Sequence, residues 1–311
     1  MTQNSIQIKV SASVANVSCG FDCIGYSISE PADILTLTQR EKPGIKIAMS
    51  GKGSETIPVF PGRNTTGKGI MSLLTTLDSK EGFSVRIEKG IPPGSGLGSS
   101  AASAVGGVFG ANQLLGNPFT LNELLIHCMA GEAVASGGFH ADNVAPALLG
   151  GIQLIRSYDP LDIISLPVPE KLISTVVLPE LTINTKEARA IVPKHVPIKS
   201  AVEQAGNLAG FTSGLYTGDF DLLGRSMVDL LAEPYRHELI PGYHLVRQAA
   251  LDAGAIGCGI SGSGPALFAL SDSSSTAEII GKAMVHAFKI EGLPSQFYSS
   301  PIQKNPPIIM D

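Results

Sequence analysis

The stretch IPPGSGLGSSAASAVGG, residues 91–107, carries five glycines and four serines but no lysine. The strand-like FSVRIEKG (83–90) leads in, and an Ala-rich helix starting near Ser99 leads out. Glycine lets a backbone approach an anion closely, and the free N–H groups at a helix N-terminus carry partial positive charge. That combination suits a polyphosphate. A P-loop would need a lysine after the glycines, and a dinucleotide fingerprint would need GxGxxG with a second strand further on. Here the spacing is GxGxG and a helix follows, so both fail. A flexible Gly/Ser linker is the bland alternative, and the structured flanks on both sides speak against it.

Something must neutralise the phosphates. The segment TLNELLIHCMAGEAVAS (120–136) opens with Thr120 and Glu123 spaced as a capping box. Leu121, Leu124, Leu125, Cys128 and Met129 then trace one buried stripe of a helix. Four residues beyond Cys128 the stripe reaches Glu132. A carboxylate on a core face is costly unless it is paired or binds a metal. Mg2+ held by Glu132, a hydroxyl of Ser99 or Ser100, and the substrate phosphates would satisfy both groups. The competing expectation is that the helix frays at Gly131 and Glu132 turns into water.

Further polar residues stand where packing does not demand them. Asp142 and Asn143 follow His140 in a glycine-flanked segment; they could cap the helix VAPALLG or face a ligand. Asn143 can orient a hydroxyl but cannot deprotonate it. His140 reads equally as a surface-loop residue. Asn16 and Asp22 follow a strand in an apolar stretch, where a turn would also explain them. GCGISGSGPALFAL (257–270) is a second glycine-rich motif, either a hairpin turn or a donor of N–H groups. Arg189, on the first turn of a short helix capped by Thr185, and Arg236, beside proline and tyrosine, read alone as solvated charges. Together they could fork a carboxylate.

The elements that must position these residues alternate irregularly. Strands are expected at 6–10, 33–38, 44–51, 83–90, 172–179, around 256–261 and 265–271, and at 295–300. Helices are expected at 64–79, 99–115, 120–136, 185–192, 199–217, 219–232, 242–253 and 275–290. YDPLDIISLPVPEKL (158–172) reads as a domain junction and NPPIIMD as a Pro-rich tail. Without regular β–α alternation the class is α+β. The chain has 311 residues, 43% hydrophobic and 16% charged, with a net charge of -5 and no basic cluster. Nucleic-acid and membrane partners are therefore not expected. The four cysteines lack metal-ligand spacing, no secretory signal or membrane span is visible, and a cytoplasmic protein is expected.

IPPGSGLGSSAAS resembles the second motif of the galactokinase–homoserine kinase–mevalonate kinase–phosphomevalonate kinase (GHMP) superfamily. VSASVANVSCGFDCIG (10–25) is similar to its first motif and GCGISGSGPALFAL to its third. EAVASGGFHADNVAPALLGG (132–151) and NTKEARAIVP (184–193) narrow the resemblance to the homoserine kinase branch. Ser11 and Ser18-Cys19 depart from the usual first motif, which bears on loop geometry rather than chemistry. The resemblance implies a two-domain α+β fold: a ribosomal-protein-S5-like N-terminal half (1–163) that binds ATP and a ferredoxin-like C-terminal half (164–311). It places ATP over Pro92, Pro93, Gly94, Ser95, Gly96, Leu97, Gly98, Ser99, Ser100, Ala101 and Ala102, with adenine near Asn64 and Lys89. It gives Mg2+ to Glu132 and Ser99, and homoserine to Asn16, Asp22, His140, Arg189, Arg236 and Gly262.

The implied reaction is ATP-dependent phosphorylation of the homoserine hydroxyl, a step of threonine biosynthesis, in a homodimer. Catalysis would rest on Asn143, Glu132 and Ser99 through positioning and charge neutralisation, since many relatives have an aspartate where Asn143 stands. Phosphoryl transfer tolerates this, because its loose transition state asks mainly for alignment. The alternatives are a mevalonate- or sugar-type kinase of the same superfamily, or a non-catalytic ligand-binding relative.

Overall fold

The computed structural model describes residues 4–310. The alternation of Ile6, Ile8 and Val10 opens β1 (Ser5–Ala15), which runs antiparallel to β2 (Ile24–Arg40). β3 (Gly44–Gly51) is followed by α1 (Thr65–Thr76) and then by β4 (Gly82–Lys89), which lies between β2 and β3. Next come α2 (Ser99–Leu114), α3 (Leu121–Ser136), α4 (Val144–Leu149), and a hairpin of β5 (Ile152–Tyr158) and β6 (Leu161–Leu166). The second half comprises β7 (Ile173–Pro179), α5 (Thr185–Ala190), α6 (Ile198–Thr217), α7 (Phe220–Ser226), α8 (Glu233–Arg236) and α9 (Tyr243–Asp252). β8 (Gly257–Ile260), β9 (Leu267–Ser271), α10 (Ser274–Ile290), β10 (Ser295–Pro301) and β11 (Ile308–Met310) complete the chain.

Two sheets result. One has the order β11-β1-β2-β4-β3, with β5 and β6 attached through β2; the other is antiparallel in the order β10-β7-β9-β8. This is the expected α+β class with two units.

α2 is the element around which the first unit packs. Its alanines favour a helix, but Gly106, Gly107 and Gly110 weaken it, each interior glycine costing about 1 kcal/mol. The reason lies in its neighbours. A Cβ at Gly106 would meet Leu35 at 2.6 Å, and one at Gly110 would meet Ile8 at 2.6 Å. The small residues let the helix lie directly on β1 and β2, and tertiary contact offsets the propensity.

The sequence-level expectations need four corrections. β6 runs across the expected division at 163/164, and Leu166 at its end pairs with Ile152 of β5, which is attached to the first sheet through β2. The expected junction is thus largely a hairpin, and we propose that the division falls in the Pro-rich 167–171. The Pro-rich tail contributes β11, which pairs with β1 in the first sheet. The helix expected at 219–232 stops at Ser226, because the Asp229 carboxylate accepts the N–H groups of Leu231, Ala232 and Glu233 and holds a turn. The N-cap of α5 is Asn184 rather than Thr185.

Candidate active site

The N-terminus of α2 opens into a cleft between the two units. Its N-cap is Gly98, at φ 67, with no side chain capping the helix. The first-turn N–H groups, including those of Ser99 and Ser100, have no helical acceptors. Gly94 and Gly96 precede it with positive φ values of 66° and 81°. A Cβ at Gly96 would fall 2.5 Å from the Ser261 carbonyl oxygen and 2.8 Å from that of Gly264. Position 96 is therefore glycine partly because the third motif packs against it, with Ser261 Oγ donating to the Gly96 carbonyl at 2.7 Å.

α3 brings Glu132 to this opening. The capping box at Thr120 and Glu123 forms, and the helix does not fray at Gly131. A Cβ there would lie 2.5 Å from the Thr65 carbonyl oxygen, so α3 is held tightly against α1. Glu132 Oε1 accepts the Ser100 hydroxyl at 2.9 Å, whereas buried Oε2 has no partner among the described residues. Burial pushes its carboxyl up to about 8, against the Ser100 hydrogen bond; the negative Asp142 adds to the rise and Lys89 opposes it. One free carboxylate oxygen beside a hydroxyl is a donor set that could hold a small hard cation, with phosphate oxygens completing the shell.

Two expected residues serve the scaffold. Ser99 Oγ donates to the Ile91 carbonyl at 2.7 Å. Lys89 is fully buried; its ammonium pairs with Asp33 and donates to the Ser99 carbonyl at 2.9 Å and Ser103 Oγ at 2.8 Å. It ties β4 and β2 to the start of α2 and does not line the cleft. Pro92, Leu97, Ala101 and Ala102 also lie off the cleft, the last three inside the core. Asn64 does line it, yet its amide is committed: Oδ1 caps α1 and Nδ2 donates to the Pro58 carbonyl at 2.8 Å. That bond fixes the wall formed by Thr56, Ile57 and Pro58, which sequence reasoning missed.

The far end of the cleft is cationic. Arg189, from α5, and Arg236, from α8, lie 5.8 and 5.2 Å from the centre of the Phe21 ring. NH1 and NH2 of Arg189 donate to the two oxygens of Asp22, each at 2.9 Å. Burial would raise the Asp22 carboxyl, but the Arg189 hydrogen bonds and charge outweigh it and hold the group below the usual carboxylate range. Arg236 donates only to carbonyls, of Ala188 at 3.1 Å and Gly262 at 2.9 Å. Among the described residues no carboxylate lies within ion-pair distance of it. Burial and the neighbouring Arg189 lower its proton affinity.

Asn16 and Gly262 shape this end. Asn16 Nδ2 donates to the Gly262 carbonyl at 2.8 Å and its Oδ1 accepts the Asp22 N–H at 3.0 Å. The Gly262 N–H is used by the Ala15 carbonyl, so it does not face a ligand. Asn16, Val17, Ser18 and Asp22 all have positive φ, an unusual concentration for residues other than glycine. His140 lines the cleft, and burial, then the charge of Arg189, keep its imidazole below its ordinary pKa. Asn143 sits at the N-cap of α4 without capping it; its Oδ1 accepts the Ser13 hydroxyl at 2.9 Å. Asp142 is buried beside it, and burial, then the charge of Asp22, push its carboxyl up to about 7.

The family model for the GHMP kinases N terminal domain matches residues 65–151, and that for the GHMP kinases C terminal matches 211–290. The class is thus that of the GHMP small-molecule kinases. The homoserine kinases of Chlorobium phaeobacteroides and Chlorobium phaeovibrioides are 43% and 44% identical, over 94% and 96% of this chain and 96% and 97% of theirs. The crystal structure of homoserine kinase from Cytophaga hutchinsonii superposes with a TM-score of 0.97 at 45% identity, covering 100% of this chain and 98% of that one. The chain belongs to the homoserine kinase family. Among the described residues no helix is long and apolar enough to cross a membrane.

Proposed function

We propose that this protein transfers the γ-phosphoryl group of ATP to the side-chain hydroxyl of L-homoserine, giving ADP and O-phospho-L-homoserine. The observation that carries the reading is the pairing, in one cleft, of an uncapped helix N-terminus with two convergent arginines and a carboxylate. The first end suits phosphates; the second suits an ammonium and a carboxylate on one carbon.

In this reading the glycine loop and the first turn of α2 bind the triphosphate, and adenine lies along Thr56–Pro58. Glu132 and Ser100 would hold Mg2+, which when bound neutralises phosphate charge as a Lewis acid. Ser100 replaces Ser99 in this role because its hydroxyl oxygen lies 2.9 Å from Glu132, whereas that of Ser99 is turned to the Ile91 carbonyl. Asn143 orients the acceptor hydroxyl with its Nδ2 group, its Oδ1 being satisfied by Ser13. No base stands at 143, so alignment and charge neutralisation carry the rate, and the hydroxyl proton passes to a γ-phosphate oxygen. Arg236 and Arg189 take the substrate carboxylate, and Asp22 takes the ammonium. His140, neutral near pH 7, closes that end. Asn16 and Gly262 act by holding Asp22 and Arg236 in place.

The same reading includes a cytoplasmic, homodimeric enzyme. The four free cysteines accord with a reducing compartment, and light scattering would give twice the chain mass. The decisive test is ADP release with MgATP across L-homoserine, L-threonine, mevalonate, galactose and shikimate. Turnover with homoserine far above the others is expected; preference for mevalonate or galactose, or no turnover at all, would overturn the assignment.

A further inference from the structure

Arg189 presents both terminal nitrogens to one carboxylate, that of Asp22, while its buried Nε has no acceptor among the described residues. The end-on fork of the guanidinium, which can hold a carboxylate bidentately, is therefore taken from within the chain. Arg236, on the same Phe21 ring, has only carbonyl partners among the described residues. Two cations thus share one aromatic residue, and one carboxylate serves only the first of them.

We propose that the Asp22–Arg189 pair is an internal stand-in for a zwitterion and makes recognition of ammonium and carboxylate obligatory together. The inference rests on the homoserine reading of this site. An incoming carboxylate can reach Arg236 directly, but it gains the Arg189 fork only when Asp22 lets go. Asp22, partly buried, then needs another cation. An ammonium on the carbon bearing the carboxylate supplies one, so two ion pairs replace one. A hydroxy acid without the ammonium leaves Asp22 unpaired, and an amino alcohol without the carboxylate leaves Arg189 unpaired. Such analogues are rejected by an uncompensated charge rather than by shape. Asp22 is a specificity-determining residue that excludes hydroxy acids as well as a contact for homoserine.

The backbone makes this testable. Asp22 has φ 57, which asparagine tolerates well, and its N–H bond to Asn16 does not involve the carboxylate. Asp22→Asn thus removes the charge and keeps the loop. The measurement is kcat/KM for wild type and Asp22→Asn with L-homoserine and with 4-hydroxybutyrate, which is homoserine without its ammonium. Homoserine should fall by about 100-fold or more, while 4-hydroxybutyrate should rise by about tenfold. An ATP KM within about threefold of wild type reports an intact fold. Opposite signs are what a merely structural or merely attractive role does not give; a parallel fall, or an unchanged value for 4-hydroxybutyrate, would overturn the exchange. If Asp22→Asn does not fold, Asp22→Gly, also at ease at positive φ, should give the same two signs. If wild type fails to phosphorylate homoserine, the functional reading falls. Calorimetric binding of 4-hydroxybutyrate, expected to tighten in the variant, then still decides the exchange.

Discussion

Ser100 donates its hydroxyl hydrogen to one oxygen of Glu132 across 2.9 Å, and the other oxygen of that buried carboxylate has no partner among the described residues. The fold therefore holds an acid at about 8 against an ordinary 4.5. Between those values the folded chain keeps a proton that the unfolded chain has lost, so the stability from this group is full below about pH 4.5 and is lost as pH rises through 8. Without Mg2+ or nucleotide, Glu132→Gln should gain on wild type steadily from pH 5 to 8, by on the order of 3 kcal/mol. Its kcat should fall by about a thousandfold or more. Denaturant titrations at several pH values check the first part; a stability difference that does not change with pH would contradict it.

Ser99 and Ser100 separate cleanly in the same experiments. Ser99→Ala removes the hydrogen bond to the Ile91 carbonyl and should cost about 1 kcal/mol of stability with little change in Mg2+ requirement. Ser100→Ala should do the reverse, raising the Mg2+ concentration needed for half-maximal rate severalfold. Equal Mg2+ dependence in the two variants would remove Ser100 from the metal site.

Much of this was legible in the sequence, and the failures have physical causes. Glu132 could be found because Leu124, Leu125 and Cys128 fix the phase of α3, and packing holds that phase to the end. Choosing between Ser99 and Ser100 was not possible, since neighbours on a helix point about 100° apart and only the neighbouring elements settle which faces α3. The pairing of Asn16 with Gly262 spans 246 residues and leaves no local trace. Lys89 is different. Phe83, Val85 and Ile87 alternate on the buried face of β4, and Lys89 continues that phase, so its burial was readable. β11 was missed because a three-residue edge strand is too short to show alternation, whereas Ile24, Tyr26 and Ile28 alternate with Gly25, Ser27 and Ser29, so the first half of β2 was readable.

The Lys89–Asp33 pair gives a third prediction. Both side chains are fully buried, and Asp33 also accepts the N–H groups of Gly90 and Ile91 at the start of the phosphate loop. Lys89→Met leaves that carboxylate uncompensated and should cost on the order of 3–5 kcal/mol. The ATP KM of whatever folds should change little, because the ammonium does not reach the cleft. A variant of native stability with weakened ATP binding would return Lys89 to the nucleotide site.

Gly96→Val tests the contact between units. Its side chain would meet the Ser261 and Gly264 carbonyls, with φ at 81° adding strain. Homoserine binding should then suffer along with ATP binding, because the third motif also carries the Gly262 carbonyl that holds Arg236 and Asn16. Loss of ATP affinity alone, measured by separate calorimetric titrations, would mean that position 96 serves only the phosphates.

Arg236 should show function opposed to stability. It is a buried guanidinium whose partners are two carbonyls and no carboxylate, beside a second cation. The desolvation of such a charge is compensated by hydrogen bonds alone, so removing it costs the fold little. Arg236→Met, which keeps the apolar stem, should lie within about 1 kcal/mol of wild type in denaturant titrations. Its kcat/KM for homoserine should nevertheless drop by an amount equivalent to about 2–5 kcal/mol, the usual loss when one partner of a desolvated charge pair is truncated. Homoserinol, which lacks the carboxylate, should lose far less, and the ATP KM should hold. Equal losses for the two alcohols would mean that Arg236 serves the phosphates or the fold, and the cationic end of the cleft would no longer point to an amino-acid substrate.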